Sequence, residues 1–141
     1  MSPDIAHFQT MSVSPLPAVI AANGGILPVL GQGLVILDGP QGPFRLENVQ
    51  YVPQLNGPLV SAATLEESGY GTYLSRDRRF IFHESDPETP LLAVERMDIT
   101  PEEGRVYYLP HKAAEATSTV TLPYPTHEAV LDVYRHLVMA V

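Results

Sequence analysis

The chain has 141 residues, with 16 acidic against 8 basic side chains, a net charge of −8 and no cysteine. That length suits one compact domain, and the acidic balance, with a single basic cluster at Arg76-Asp77-Arg78-Arg79 that carries its own acid, argues against nucleic acid or an anionic membrane as the main partner. Without cysteine there is no disulfide, thiolate metal ligand or Cys nucleophile, which suits a reducing, intracellular setting, cytoplasmic or nuclear.

No apolar run approaches the ~18–20 residues of a membrane span, and Met1-Ser2-Pro3-Asp4 does not read as a secretory signal. Apolar residues make up 45% and charged ones only 17%, with 14 Pro and 10 Gly. Such frequent punctuation predicts short strands and many turns, not a helical bundle.

The run Pro17 to Ala22 leads into Asn23-Gly24-Gly25, a hairpin signal for which a two-residue type I′ turn is expected. The return strand reads from Ile26 to Leu37. Within it, Gly31 and Gly33 share a face and predict a bend, a bulge or a close backbone approach. Pro28, which lacks an N–H, belongs at a strand edge or end. Asp38-Gly39-Pro40-Gln41-Gly42-Pro43 is a turn. Phe44 to Val52 then alternates, with a phase slip near Asn48 that predicts an irregular strand.

Leu59 to Ser68 reads as a short helix capped by Gly69. Strands are expected at 71–74, 79–83, 91–95 and 105–109, with turns at 75–78 and 85–90. Residues 111–125 read as an extended arm or linker. Thr126 can cap a last helix, 126–141, whose apolar face of Val130, Tyr134, Leu137, Val138 and Val141 docks on the barrel or on a partner.

Five short signatures in order carry a family resemblance. They are Ala22-Asn23-Gly24, Leu27 to Gly33, Leu46 to Leu55, Leu59 to Leu65 with Gly69-Tyr70, and Arg105-Val106-Tyr107-Tyr108-Leu109. Together with Met1-Ser2-Pro3-Asp4 and Phe8, they resemble the protease-region β-barrel of copia-type retrotransposon Pol polyproteins over residues 1–110. The resemblance implies a mainly β, retropepsin-related fold: a small closed barrel with a flap-like hairpin at Asn23, Gly24 and Gly25 and one short helix. It also implies pairing of two chains, each giving one Asp from an Asp-Ser/Thr-Gly loop, since two carboxylates must share a proton.

The sequence departs from that pattern where the chemistry lies. Asp4, Asp38, Asp77, Asp86, Asp98 and Asp132 are never followed by Ser-Gly or Thr-Gly. In the family the catalytic loop comes just before the stretch that Met1 to Asp4 resembles. Three readings follow. The first is a non-catalytic interaction or dimerisation module with a protein partner, leaning away from an enzyme. The second is a fragment of an active protease whose catalytic loop lies upstream. The third is a barrel recruited for small-molecule binding or chemistry, using His or Tyr in a pocket.

Asp38-Gly39, followed by Pro40, is turn chemistry rather than half an aspartic motif. The pocket candidates are His7, His83, Tyr51 and Tyr107, which offer general acid–base groups. No metal site is expected, because the five histidines lack ligand spacing and His127 and His136 fall about 180° apart on a helix. No cofactor is expected, because Gly31-Gln32-Gly33 lacks the third glycine and following helix of a nucleotide fingerprint; separately, there is no Gly-x-Ser-x-Gly nucleophile elbow. His83 and His111 read as solvated. Asp98, Glu102 and Glu103 read as a solvated acidic turn, and the aromatic residues as mostly core.

Overall fold

The computed structural model describes residues 1–21, 23–100, 104–116 and 120–122. The helix expected at 126–141, the linker residues 117–119 and 123–125, Glu102 and Glu103 lie outside them. The described residues divide into two compact units, one drawn from 1–36, 45–59 and 114–122, the other from 37–44 and 60–113.

The secondary structure is mainly β. In chain order the strands are β1 (Ala18–Ile20), β2 (Ile26–Pro28), β3 (Gly31–Gly39), β4 (Gly42–Tyr51), β5 (Tyr70–Leu74), β6 (Arg79–His83), β7 (Leu92–Ala93), β8 (Glu95–Thr100) and β9 (Gly104–Tyr108), with helix α1 (Ala62–Glu67) before β5. They form four separate sheets, β1-β2, β3-β4, β5-β6-β7 and β8-β9. The expected closed barrel is therefore not seen among the described residues. The expected strand 26–37 breaks at Val29-Leu30, where the Val29 N–H turns to the Pro17 carbonyl and the Leu30 N–H to that of Tyr51. Pro28 ends β2 at that break, where its missing N–H costs no ladder bond.

In the first unit, the N-terminal segment flanks the β3-β4 hairpin on both sides through isolated bridges. Ser2 bridges Tyr51 of β4, while Phe8 and Ser12 bridge Val35 and Gln32 of β3. Gly31 and Gly33 make this approach possible. A Cβ on Gly33 would stand 1.9 Å from the Thr10 carbonyl oxygen, and one on Gly31 would stand 2.5 Å from Met11 Sδ. Phe8, Val29, Leu30, Val35, Tyr51 and Val52 are buried as this unit's core.

The phase slip in β4 has a backbone cause. Among the described non-glycine residues only Asn48 has a positive φ, +54°. Phe44 is buried and Leu46 half-buried before it, and Val49 half-buried and Tyr51 buried after it, so inward positions shift by one residue across Asn48. Asn tolerates this conformation better than most residues, which lets the strand bend without losing its inner face.

The β1-β2 turn differs from the expected two-residue form. The Gly24 N–H donates to the Ala21 carbonyl and the Ala21 N–H to the Gly25 carbonyl, with Gly24 at φ +84°. Left-handed geometry thus falls on Gly24 and not on Asn23, whose Oδ1 instead accepts from the Gly25 N–H.

In the second unit, α1 is shorter than the expected 59–68. The Ser61 side chain accepts from the Thr64 N–H as the N-cap, and Gly69 at φ +87° ends the helix. Only Leu65 of α1 is buried, while Leu59 and Val60 before it are exposed. β5 and β6 pair from Tyr70-His83 to Leu74-Arg79, and β7 adds to the other side of β6. Leu37, Phe44, Leu65, Phe80, Ile81, Leu92 and Val94 form the core. Residues 111–113, read from sequence as part of an arm, add to the end of β3: Ala113 bridges Leu37, and the Asp38 N–H donates to the Lys112 carbonyl.

Candidate functional site

The four pocket candidates separate, two in each unit. In the first unit, Asp4 caps a three-residue 3-10 turn, Ile5–His7, by accepting from the Ala6 N–H. The same carboxylate stands 3.4 Å from His7 Nε2, with both side chains about half exposed. Tyr51 lies buried with its ring edge-on to Phe8 at 5.6 Å. Burial raises its phenol above the ordinary value, and the Asp4 charge adds to the rise. Asp4 thus pairs with His7 at the surface, and its charge is felt by the buried Tyr51 phenol.

In the second unit, His83 Nδ1 faces Ser85 Oγ at 2.7 Å and accepts from the Ser85 N–H, and its ring stands edge-on to Tyr70. It organises the turn after β6. Tyr107 lies elsewhere, on β9 opposite Arg96 of β8, half exposed. His111 was expected to be solvated, but its ring bridges two backbone groups instead. Nε2 accepts from the Ala93 N–H at 2.9 Å, and Nδ1 lies 3.1 Å from the Asp38 carbonyl oxygen. Only the neutral Nδ1–H tautomer satisfies both partners.

Cross-strand alternation places Tyr73, Phe80 and Phe82 on one face of the β5-β6-β7 sheet. Tyr73 stacks on Phe80 at 5.3 Å, Phe82 meets Phe80 edge-on, and the Arg78 guanidinium lies 5.0 Å above the Phe80 ring. With Pro87 and Glu88 these residues line an open groove of about 640 Å³. Sequence reasoning found the rings but not Arg78, Pro87 or Glu88, which arrive from two turns far apart along the strands.

Among the described residues, the β8-β9 ribbon carries one group of uncovered apolar side chains. Met97 is 51% exposed, Val106 41%, Tyr107 50% and Tyr108 39%. Their register, Glu95-Tyr108, Arg96-Tyr107 and Met97-Val106, puts Met97, Val106 and Tyr108 on one face and Arg96 and Tyr107 on the other. Tyr108 Oη donates to Glu95 Oε2 at 2.6 Å. That hydrogen bond holds the phenol proton and raises its pKa, with burial and the Glu95 charge adding less. Asp98, expected in a turn, is part of β8. Among the described residues this sheet has only two strands, an arrangement marginal in water without further cover.

No group of three or more His, Cys, Asp or Glu placed to hold a metal occurs among the described residues, and no helix there is long and apolar enough to cross a membrane. Asp38, expected in a turn, lies within β3 one residue before its end, with its backbone tied to Lys112 and His111, and the turn itself is Pro40-Gln41.

Compared with family models, residues 1–70 match that of the Pol polyprotein, beta-barrel domain. These residues belong to that family. No curated protein and no solved structure matches the chain. The Pol β-barrel match spans β1 to β4 and α1 and ends on Tyr70, the first residue of β5. The aromatic groove and the β8-β9 ribbon therefore lie outside the matched segment.

Proposed function

We propose that this Pol-derived domain, of copia type and retropepsin ancestry, works as a non-catalytic interaction module that associates through exposed strand surfaces. The observation that carries the reading is the β8-β9 ribbon: two strands with Met97, Val106, Tyr107 and Tyr108 in water. Uncovered apolar surface of this kind marks interaction sites. A two-stranded sheet also leaves backbone donors and acceptors open to another strand.

The second support is chemical. Aspartic proteolysis needs two close carboxylates on Asp-Ser/Thr-Gly loops, and none of the six Asp residues of this chain sits in that motif. The test combines two assays. The chain is incubated with peptide substrates at acidic and neutral pH, and its self-association is followed by light scattering beside Met97→Lys/Val106→Lys. No cleavage is expected, and the double variant keeps its circular dichroism but loses association. Cleavage blocked by an aspartic-protease inhibitor would overturn the reading.

A further inference from the structure

The charge pattern of β8 names the partner. On this strand Glu95-Arg96-Met97-Asp98, a cation and an anion flank Met97, and by alternation their positions share one face. Such a pattern complements itself when the strand meets a copy running antiparallel. Centred on Met97, the pairing brings Arg96 of one copy opposite Asp98 of the other, twice. We propose that two copies of this chain join antiparallel along their β8 edges about a two-fold axis at Met97, fusing two ribbons into one four-stranded sheet. The inference rests on the interaction reading above and gives it a partner.

Five observations favour this edge and this occupant. β8 has only β9 beside it among the described residues, so its second edge has no strand there. In register, Asp98 lies opposite Arg105 of its own β9. Pairing would set each Asp98 position between Arg105 and the other copy's Arg96, an alternation of charge across the sheet. The chain carries a net charge of −8, so unpatterned contact between two copies is repulsive and a stable one needs matched charges at its centre. The β9 edge offers no such match, because Arg105-Val106-Tyr107-Tyr108 holds no acid to face Arg105. On the apolar face, the pairing joins Met97 and Val106 of both copies into one continuous row.

Single charge reversals test the register. Arg96→Glu alone sets Glu against Asp98 twice, and Asp98→Arg alone sets Arg against Arg96 twice. Each weakens self-association by about tenfold or more. Mixed together, the two variants restore both pairs and form a heterodimer of near wild-type strength. Circular dichroism checks that each variant folds. A second test does not depend on charge: since the chain has no cysteine, Met97→Cys gives one thiol per copy at the proposed axis. Directly opposed residues have Cα atoms about 4.5–5.5 Å apart, within disulfide reach. Mild oxidation is expected to give a covalent dimer for Met97→Cys and not for Tyr107→Cys. Self-association that ignores both reversals, with no crosslink formed by the Met97→Cys variant, would overturn the β8 pairing and leave the module reading standing. A chain monomeric at every concentration would overturn the second copy as partner.

Discussion

The Ala93 backbone N–H donates to His111 Nε2 at 2.9 Å. The other ring nitrogen lies 3.1 Å from the Asp38 carbonyl, so one imidazole ties the segment after β9 to both β7 and the end of β3. His111→Ala removes the acceptor and leaves the Ala93 N–H unpaired in a half-buried place. The expected loss is about 1–3 kcal/mol, measured by urea denaturation. Hydrogen exchange should show the Ala93 and Asp38 amides losing protection first, since the Asp38 N–H depends on Lys112 beside the ring.

Gly33 tests the approach of the N-terminal segment to β3. A Cβ there meets the Thr10 carbonyl at 1.9 Å, a backbone atom that no side-chain rotation can move away. Gly33→Ala should cost about 1–3 kcal/mol. It should also release the amides of Gln9 and Ser12, which bond to β3. Gly57→Ala, where an added Cβ meets nothing within 4 Å, is the control and should change stability little.

Asn48 tests the bend in β4. Its φ of +54° costs a β-branched residue about 1–2 kcal/mol and a glycine almost nothing. Asn48→Val should therefore lower the denaturation midpoint, while Asn48→Gly should hold it near wild type.

Alkaline pH tests the two raised phenols. Tyr51, through burial and then Asp4, and Tyr108, through its bond to Glu95, hold their protons beyond the ordinary value of 10.0. Above that pH the unfolded chain loses these protons before the folded one does. The folded state then binds more protons, and stability falls as pH rises through this window. Spectrophotometric titration should show two late phenols. Tyr51→Phe and Tyr108→Phe should each flatten the alkaline decline of the melting temperature.

Features set by local backbone chemistry were legible in the sequence. The Gly31/Gly33 approach, the Asn48 slip and the strands expected at 71–74 and 79–83, the first of which starts one residue earlier at Tyr70, follow from glycine, turn residues and a period of two. The break at Val29-Leu30 was hidden, because an unbroken apolar run conceals a change of hydrogen-bond partner from Pro17 to Tyr51. The separation of the sheets depends on distant neighbours in the same way. Tyr107 and Tyr108 look like core residues by type, and only the absence of a third strand among the described residues shows them uncovered. Nothing local marks His111, whose partners lie 18 and 73 residues away.

Sedimentation equilibrium of the unmodified chain over a wide concentration range bears most directly on association through the β8-β9 ribbon. The mass should climb from 15.4 kDa toward twice that value, and Arg96→Glu should move that climb to concentrations about tenfold higher or more. A single mass of 15.4 kDa at every concentration, or a dimer indifferent to the ribbon's residues, would contradict the account.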